Sequence, residues 1–307
     1  MNTNGATSVA VVINDTAGCG HGEEVAATVR AGFAEGGCEP TVHLVPAAQI
    51  QSAVRDLVRD GARIIVAGGG DGTISAVAAE LAGSGVALGV LPLGTLNHFA
   101  KDVGIPLDLP GAIRTVLDGH AIDVDIGEVN GKVFINNSSI GVYPQIVRMR
   151  ERHRRRFGLG KWIAMIMATW HVLRLGSSLR VLVNAGSGER KYRTAFAFAG
   201  NNAYVLEGLE MGSRKSLQGG KLSLYTARPT GRLGILSLTV QALFGRLRDS
   251  DDFDEIEASD ILIETTQRRL SVATDGEVAV LETPLRYRSR AAALRVLVPR
   301  TEVAEGV

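Results

Sequence analysis

The sequence predicts an α/β N-terminal domain with a parallel sheet, followed by a C-terminal β-sandwich domain. Three observations carry that expectation. Up to about residue 127 short apolar runs alternate with helical stretches. Beyond it the chain becomes a succession of strand-like runs broken by turn residues. Between them in importance stands the stretch VAGGGDGTISAVAAEL at 66–81, a glycine turn set between an apolar run and an alanine-rich helix. Strands alternating with helices argue for a parallel sheet covered on both faces.

SVAVVIN reads as a buried strand, followed by a glycine-rich loop and the helical EEVAATVRAGFAEGG. A weaker strand, PTVHLV, leads into AAQIQSAVRDLVRDG, where Ile50, Val54, Leu57 and Val58 share one helix face. RIIVAG and ALGVLPLG are further strands, followed by the helices TISAVAAELAG and LDLPGAIRTVLDG. In the second half GKVFINNSS, SLRVLVNA, YRTAFAFAG, KLSLYTARP, DILIETTQRRLSVATDG and AALRVLVPR read as strands, with helical patterns at about 158–175 and 232–247. There is no internal repeat and no low-complexity linker. The expected domains are 1–127 and 128–284, joined near DVDIGEVNG, with 285–307 free to pack back on the first; the cleft between domains is the default site.

Composition narrows the function. At 307 residues the chain is long for one core and comfortable for two. A formal net charge of +1 gives no global field toward nucleic acid, so any basic feature is local. The start lacks a basic leader, and WIAMIMATW is far shorter than the roughly 20 residues that span a bilayer. Cys19 and Cys38 have neither disulfide-framework nor metal-site spacing. A cytoplasmic protein is expected.

GGGDGT follows a strand and opens a helix, where converging amides and the helix dipole favour a phosphate. It is neither a Walker A loop nor a G-x-G-x-x-G dinucleotide loop. Tight strand-to-helix packing is the plainer explanation of the glycines. Asp71 argues for more, because a carboxylate facing a polyphosphate repels it unless Mg²⁺ lies between them or the carboxylate manages a proton. Asp71 as the N-cap for Thr73 and Ile74 is the structural alternative, and both roles can coexist.

IIVAGGGDGT followed by LGVLPLGTLNHFAKDVGIP resembles the catalytic domain of diacylglycerol kinases and their bacterial lipid-kinase relatives, a group that includes sphingosine and ceramide kinases. A degraded N-P-x-S/A-G motif stands at Asn14–Gly18, IDVDIGEVNGKVFINNSSIGVYP follows, and TDGE closes the series at Thr274–Glu277. The resemblance implies an ATP-binding α/β domain facing a lipid-binding β-sandwich. It also implies that Asn14, Ala17 and Gly18 surround the nucleotide phosphates together with Gly68, Gly69, Gly70, Asp71, Gly72 and Thr73. Gly94, Thr95 and Asn97 would complete that pocket. Asp275 would be the general base, with Asp71 beside it in catalysis and Glu277 orienting it or a metal. Asp125 would join Asp71 in an Mg²⁺ network. The turn preference of Asp-Gly is the plainer reading of TDGE, and a solvated strand edge that of Asp125. Spacing alone does not separate Asp125 from Asp123.

Three departures from the family stand out: Ser75 and Ala76 replace an Asn-Glu pair, Asn97-His98 replaces Asn-Asp, and Gly219-Gly220-Lys221-Leu222 replaces an Asp-Gly-x-Leu segment that carries a structural metal. His98 is read as a phosphate contact, oriented by Asp102 one turn on, against the alternative of a surface histidine filling a loop. Arg148, Arg150, Arg152, Arg154, Arg155, Arg156 and Lys161 form the strong basic cluster, followed by an apolar stretch with Trp162 and Trp170. A solvated helix face explains such a run equally well. Docking on an anionic membrane by Arg152, Arg154, Arg155, Arg156 and Trp162 is the functional reading, which expects peripheral association with the inner face of the membrane. Nucleic acid is disfavoured because no stacking platform accompanies the arginines. The expected activity is a lipid kinase using ATP and Mg²⁺, with diacylglycerol as acceptor. An NAD kinase, or a lipid-binding regulatory protein with a decayed site, is the alternative. Oligomeric state stays open, a homodimer included.

Overall fold

The computed structural model describes residues 9–17, 22–141, 179–186, 188–194, 196–205, 213–214, 216–227 and 253–300. The chain divides into two compact units, Met1–Val124 with Ala292–Val307, and Asp125–Ala291. Gly18, Arg152, Arg154, Arg155, Arg156 and Trp162, and the helical patterns at 158–175 and 232–247, lie outside the described residues.

The first unit holds β1 (Val9–Asn14), α1 (Gly22–Glu35), β2 (Thr41–Val45), α2 (Ile50–Arg59), β3 (Ile64–Gly69), α3 (Asp71–Leu81), β4 (Ala87–Pro92), α4 (His98–Asp102) and α5 (Leu109–Asp118). Its strands run in the order β2-β1-β3-β4, all parallel. The last residues of β16 (Leu285–Val298) add a parallel neighbour to β4 at Arg295↔Ala87. β3 and β4 are buried along nearly their whole length, as continuous apolar runs require in a sheet covered on both faces. The face of α2 expected to be apolar is inward: Ile50 and Val54 are fully buried, Leu57 and Val58 partly so. α5 starts where Asp108 accepts a hydrogen bond from Gly111 N at 2.8 Å, with proline in its first turn.

The parallel register sets the ends of three strands side by side. Ile13 pairs with Gly68, Gly68 with Leu91 and Gly69 with Pro92. Carboxyl ends of parallel strands are where ligands bind such sheets.

β5 (His120–Val129) carries the chain from the first unit into the second, which continues with β6 (Lys132–Phe134), β7 (Asn137–Gly141), β8 (Leu179–Ala185), β9 (Gly188–Thr194), β10 (Phe196–Asn201), β11 (Leu222–Ala227), β12 (Phe253–Ala258), β13 (Asp260–Thr265), β14 (Arg269–Thr274) and β15 (Glu277–Glu282). Six strands form one antiparallel sheet in the order β12-β11-β10-β7-β14-β15. A second antiparallel sheet pairs the start of β16 with β13, β13 with β8 and β8 with β9. Ile140, Leu222, Leu224 and Val272 of the first share one buried cluster with Val183, Ile261, Ile263 and Tyr287 of the second. This is a sandwich, as the alternating patterns predicted. Phe134 meets Tyr287 edge-on at 6.3 Å, and the buried Tyr287 hydroxyl lies 3.2 Å from Ser138 Oγ.

Candidate active site

In the first unit the glycine loop is shaped by close backbone packing. A side chain at Gly94 would begin 2.5 Å from Gly70 Cα, and one at Gly69 would begin 2.5 Å from Thr73 Oγ1. A side chain at Gly68 would begin 2.9 Å from Ile13 Cγ1. Close packing thus requires glycine at these three positions, whatever else the loop does. Gly72 differs, because beyond its chain neighbours and its own helix backbone no atom lies within 4 Å of the place where its side chain would begin. Its space is open, at the start of a helix whose dipole favours an anion.

Asp71 does not cap its own helix. Gly70 is the N-cap, and its carbonyl accepts from Thr73 N and Ile74 N at 2.9 and 3.1 Å. Asp71 Oδ1 instead accepts a hydrogen bond from the peptide N–H of His98, 27 residues away, at 2.8 Å. The reason is geometric: at the first helical position a side chain points away from the amides that a cap must reach. The Asp71 carboxylate thus ties the start of α3 to the start of α4. The peptide group of His98 makes this contact, while its imidazole is exposed.

Two asparagines fix the other strand ends. Asn14 Nδ2 donates to Thr73 Oγ1 at 3.2 Å, linking the end of β1 to α3. Asn97 is buried at φ 50°, in the left-handed region that asparagine tolerates. Its amide donates to Pro92 O and Gly94 O, and its Oδ1 accepts from Gly94 N. Thr95 is exposed beside it, and Ala17 is buried behind β1. The structure thus gathers Asn14, Gly68–Thr73, Gly94 and Asn97 at one edge of one sheet.

The remaining predicted residues belong to the second unit. Asp275 and Gly276 form the two-residue connection between β14 and β15, both at positive φ (47° and 86°). That is the primed hairpin turn Asp-Gly favours. The Asp275 carboxylate does more than turn the chain. It accepts three successive peptide N–H groups, from Ile135 at 2.8 Å and from Asn136 and Asn137 at 2.9 Å each. The charged form of a carboxylate is the one such donors favour as partner. Glu277 is exposed, and its carboxylate lies 3.8 Å from Lys132 Nζ.

Burial separates the two aspartates that spacing could not. Asp123 is exposed; Asp125 is 3% exposed, which removes the solvated-edge reading for it. Asp125 Oδ2 accepts from Gly220 N at 2.6 Å and Asn202 Nδ2 at 3.2 Å, and Asn202 Oδ1 accepts from Gly219 N at 3.0 Å. A side chain on Gly219 would collide with Asn202 Oδ1 at 2.6 Å. An asparagine amide therefore occupies the space where the resemblance places a metal-binding aspartate. Among the described residues no three His, Cys, Asp or Glu side chains gather as a metal set. No helix among them is long and apolar enough to cross a membrane.

Sequence reasoning missed Asn201, Tyr204 and Arg214, which bond Ile135 and Asn136, and Asn202, which bonds Asp125 and Gly219. The only signal was the Asn-Asn pair following a strand. Backbone donors such as those of 135–137 leave none.

Residues 8–129 match the diacylglycerol kinase catalytic domain. Over 111 residues, 35% of this chain, the sequence is 38% identical to the "Probable lipid kinase YegS-like" of Cronobacter sakazakii. Over 90 residues, 29% of this chain, it is 50% identical to the protein of the same name from Pseudomonas aeruginosa. The aligned parts span only 37% and 30% of those relatives. The fold extends further: a crystal structure described as a diacylglycerol kinase from Bacillus anthracis superposes with a TM-score of 0.71 at 18% identity, covering 96% of this chain and 97% of that one. The match to the diacylglycerol kinase catalytic domain thus covers the segment that carries the glycine loop and both asparagine clasps.

Proposed function

We propose that this protein is a lipid kinase that transfers the γ-phosphoryl group of ATP, with Mg²⁺, to a lipid hydroxyl, diacylglycerol being the acceptor and phosphatidic acid the product. The observation that carries the proposal is Asp71, a carboxylate held by His98 N at the open start of α3. Phosphoryl transfer needs positioning and charge neutralisation more than covalent chemistry, and this strand edge offers both. In this reading the ATP phosphates lie against Gly68–Thr73, Gly94, Thr95 and Asn97, with Asn14, Ala17, Gly18 and His98 around them.

The residues fit Mg²⁺, which is usually held by one or two carboxylates and the substrate phosphates rather than by a full protein cage. Asp71 suits it best, with one oxygen tied to His98 N at the start of α3. Asp125, whose Oδ2 already accepts two hydrogen bonds, suits anchoring of the Gly219–Gly220 loop better than ligation. When bound, Mg²⁺ would neutralise phosphate charge. Asp275 is proposed to take the proton of the lipid hydroxyl, oriented by the amides of 135–137, with Glu277 nearby in the same hairpin. Arg152, Arg154, Arg155, Arg156 and Trp162 are proposed to dock an anionic membrane.

The test is phosphoryl transfer from labelled ATP to a panel of diacylglycerol, monoacylglycerol, sphingosine, ceramide and NAD. Label is expected in phosphatidic acid. Label in NAD alone would make the protein a dinucleotide kinase, and ATP binding without transfer to any acceptor would make it a binding protein.

A further inference from the structure

We infer that Arg214 is a positioning residue for Asp275, acting through the peptide group between Ile135 and Asn136. The inference rests on the reading of Asp275 as the group that accepts the substrate proton. Arg214 is 6% exposed, so its guanidinium, charged at any ordinary pH, sits inside the second unit. Nη1 donates to Ile135 O at 2.6 Å and Asn201 O at 3.1 Å, and Nη2 donates to Asn136 Oδ1 at 2.9 Å. The guanidinium carbon lies 5.7 Å from the centre of the Tyr204 ring.

The Ile135 carbonyl belongs to the same peptide group as the Asn136 N–H. That group accepts from Arg214 and from Asn201 Nδ2 at one end, and its N–H donates to Asp275 Oδ1 at the other. The next peptide repeats the pattern. The Asn136 carbonyl accepts from Tyr204 Oη at 3.1 Å and Asn201 N at 2.9 Å, while the Asn137 N–H donates to Asp275 Oδ1. Both peptide dipoles therefore point from a cation-bearing wall toward the carboxylate. A hydrogen bond to a carbonyl polarises its peptide and strengthens the bond its N–H makes, an effect that low dielectric enhances. Arg214 and Asp275 thus sit at opposite ends of the peptide group between Ile135 and Asn136. The same bonds lock the 135–137 segment from behind, so the carboxylate has a fixed seat. Asp275 returns the contact by donating its own N–H to Asn137 O at 2.9 Å. A lysine cannot reproduce this, because its single ammonium lacks the planar fork that spans a main-chain carbonyl and a side-chain amide.

The test compares Arg214→Met, Arg214→Lys and Tyr204→Phe by two readouts, amide proton shifts in ¹H–¹⁵N spectra and steady-state kinetics of labelled phosphate transfer to diacylglycerol. Arg214→Met is expected to move the Asn136 amide proton upfield, and Tyr204→Phe to move that of Asn137. In kinetics, kcat of Arg214→Met should fall by about tenfold or more, the size usual for a lost orienting partner, with KM for ATP and lipid unchanged. Arg214→Lys should recover part of that loss. If Arg214→Met does not fold, Tyr204→Phe decides alone through the Asn137 shift and a smaller loss of kcat. Unmoved amide protons in folded variants would overturn the relay while leaving the base reading intact. Moved amide protons with unchanged kcat would overturn the positioning role, while the assignment of Asp275 as the base is tested separately by Asp275→Asn.

Discussion

Three peptide N–H groups converge on the Asp275 carboxylate, and that decides what replacing it should do. Turn preference alone says that asparagine is harmless there, because Asn-Gly also suits the primed turn. The acceptor demand says otherwise. An asparagine amide offers one acceptor oxygen and puts an NH₂ group against a remaining N–H donor. Asp275→Asn should therefore cost roughly 1–3 kcal/mol of stability, the usual penalty for a donor left without a partner. In urea unfolding it should show this loss alongside a fall in kcat of about 10²–10⁴-fold, the contribution of a general base. Unchanged stability would contradict the geometry, and unchanged kcat would contradict the role. At this scale Asp71 was legible as a carboxylate inside a glycine turn, and Asn14 and Asn97 were legible only through the resemblance. Arg214 was not, since an arginine in a polar stretch reads as surface and nothing in the letters shows the carbonyls it meets.

At the scale of elements, the glycines of one loop divide into two kinds. Gly94→Ala should push the β4–α4 connection off Gly70, because the added carbon meets backbone rather than a side chain that can turn aside. Calorimetry should then show weakened ATP binding together with a lower melting temperature. Gly72→Ala meets nothing, sits inside the first turn of α3 and should raise stability by about 0.5–1 kcal/mol. If the open space above Gly72 is where phosphate rests, this more stable variant binds ATP more weakly; undiminished affinity would remove Gly72 from the pocket. The buried strands β1, β3 and β4 were readable as apolar runs. β12 (FDEIEA) and β15 (EVAVLE) were not read as strands, and of β9 (GERKYRT) only its YRT end was, run together with β10; each of the three ends a sheet. Edge strands carry charge to prevent pairing with other chains, which erases the alternation that marks a strand.

For the whole molecule, the sandwich core sets an alkaline limit on stability. Burial pushes the Tyr287 phenol up to about 12 from an ordinary value of 10.0, the Ser138 hydroxyl opposing it only in part, and burial raises Tyr225 as well. An acid raised in the fold favours its protonated form there, so its contribution is complete below pH 10 and is lost as pH climbs toward 12. Melting temperature should hold level to about pH 10 and then fall, more gently in Tyr287→Phe; parallel curves would show that the phenol is not the cause. The central claim concerns activity, and Asp71→Asn tests it most directly, since asparagine keeps the oxygen that accepts from His98 N while removing the charge. The measurement is transfer of label from γ-labelled ATP into phosphatidic acid on vesicles containing diacylglycerol and anionic lipid, by wild type and by folded Asp71→Asn. The account predicts rapid transfer by the first and nearly none by the second. Equal rates from the two proteins would contradict it.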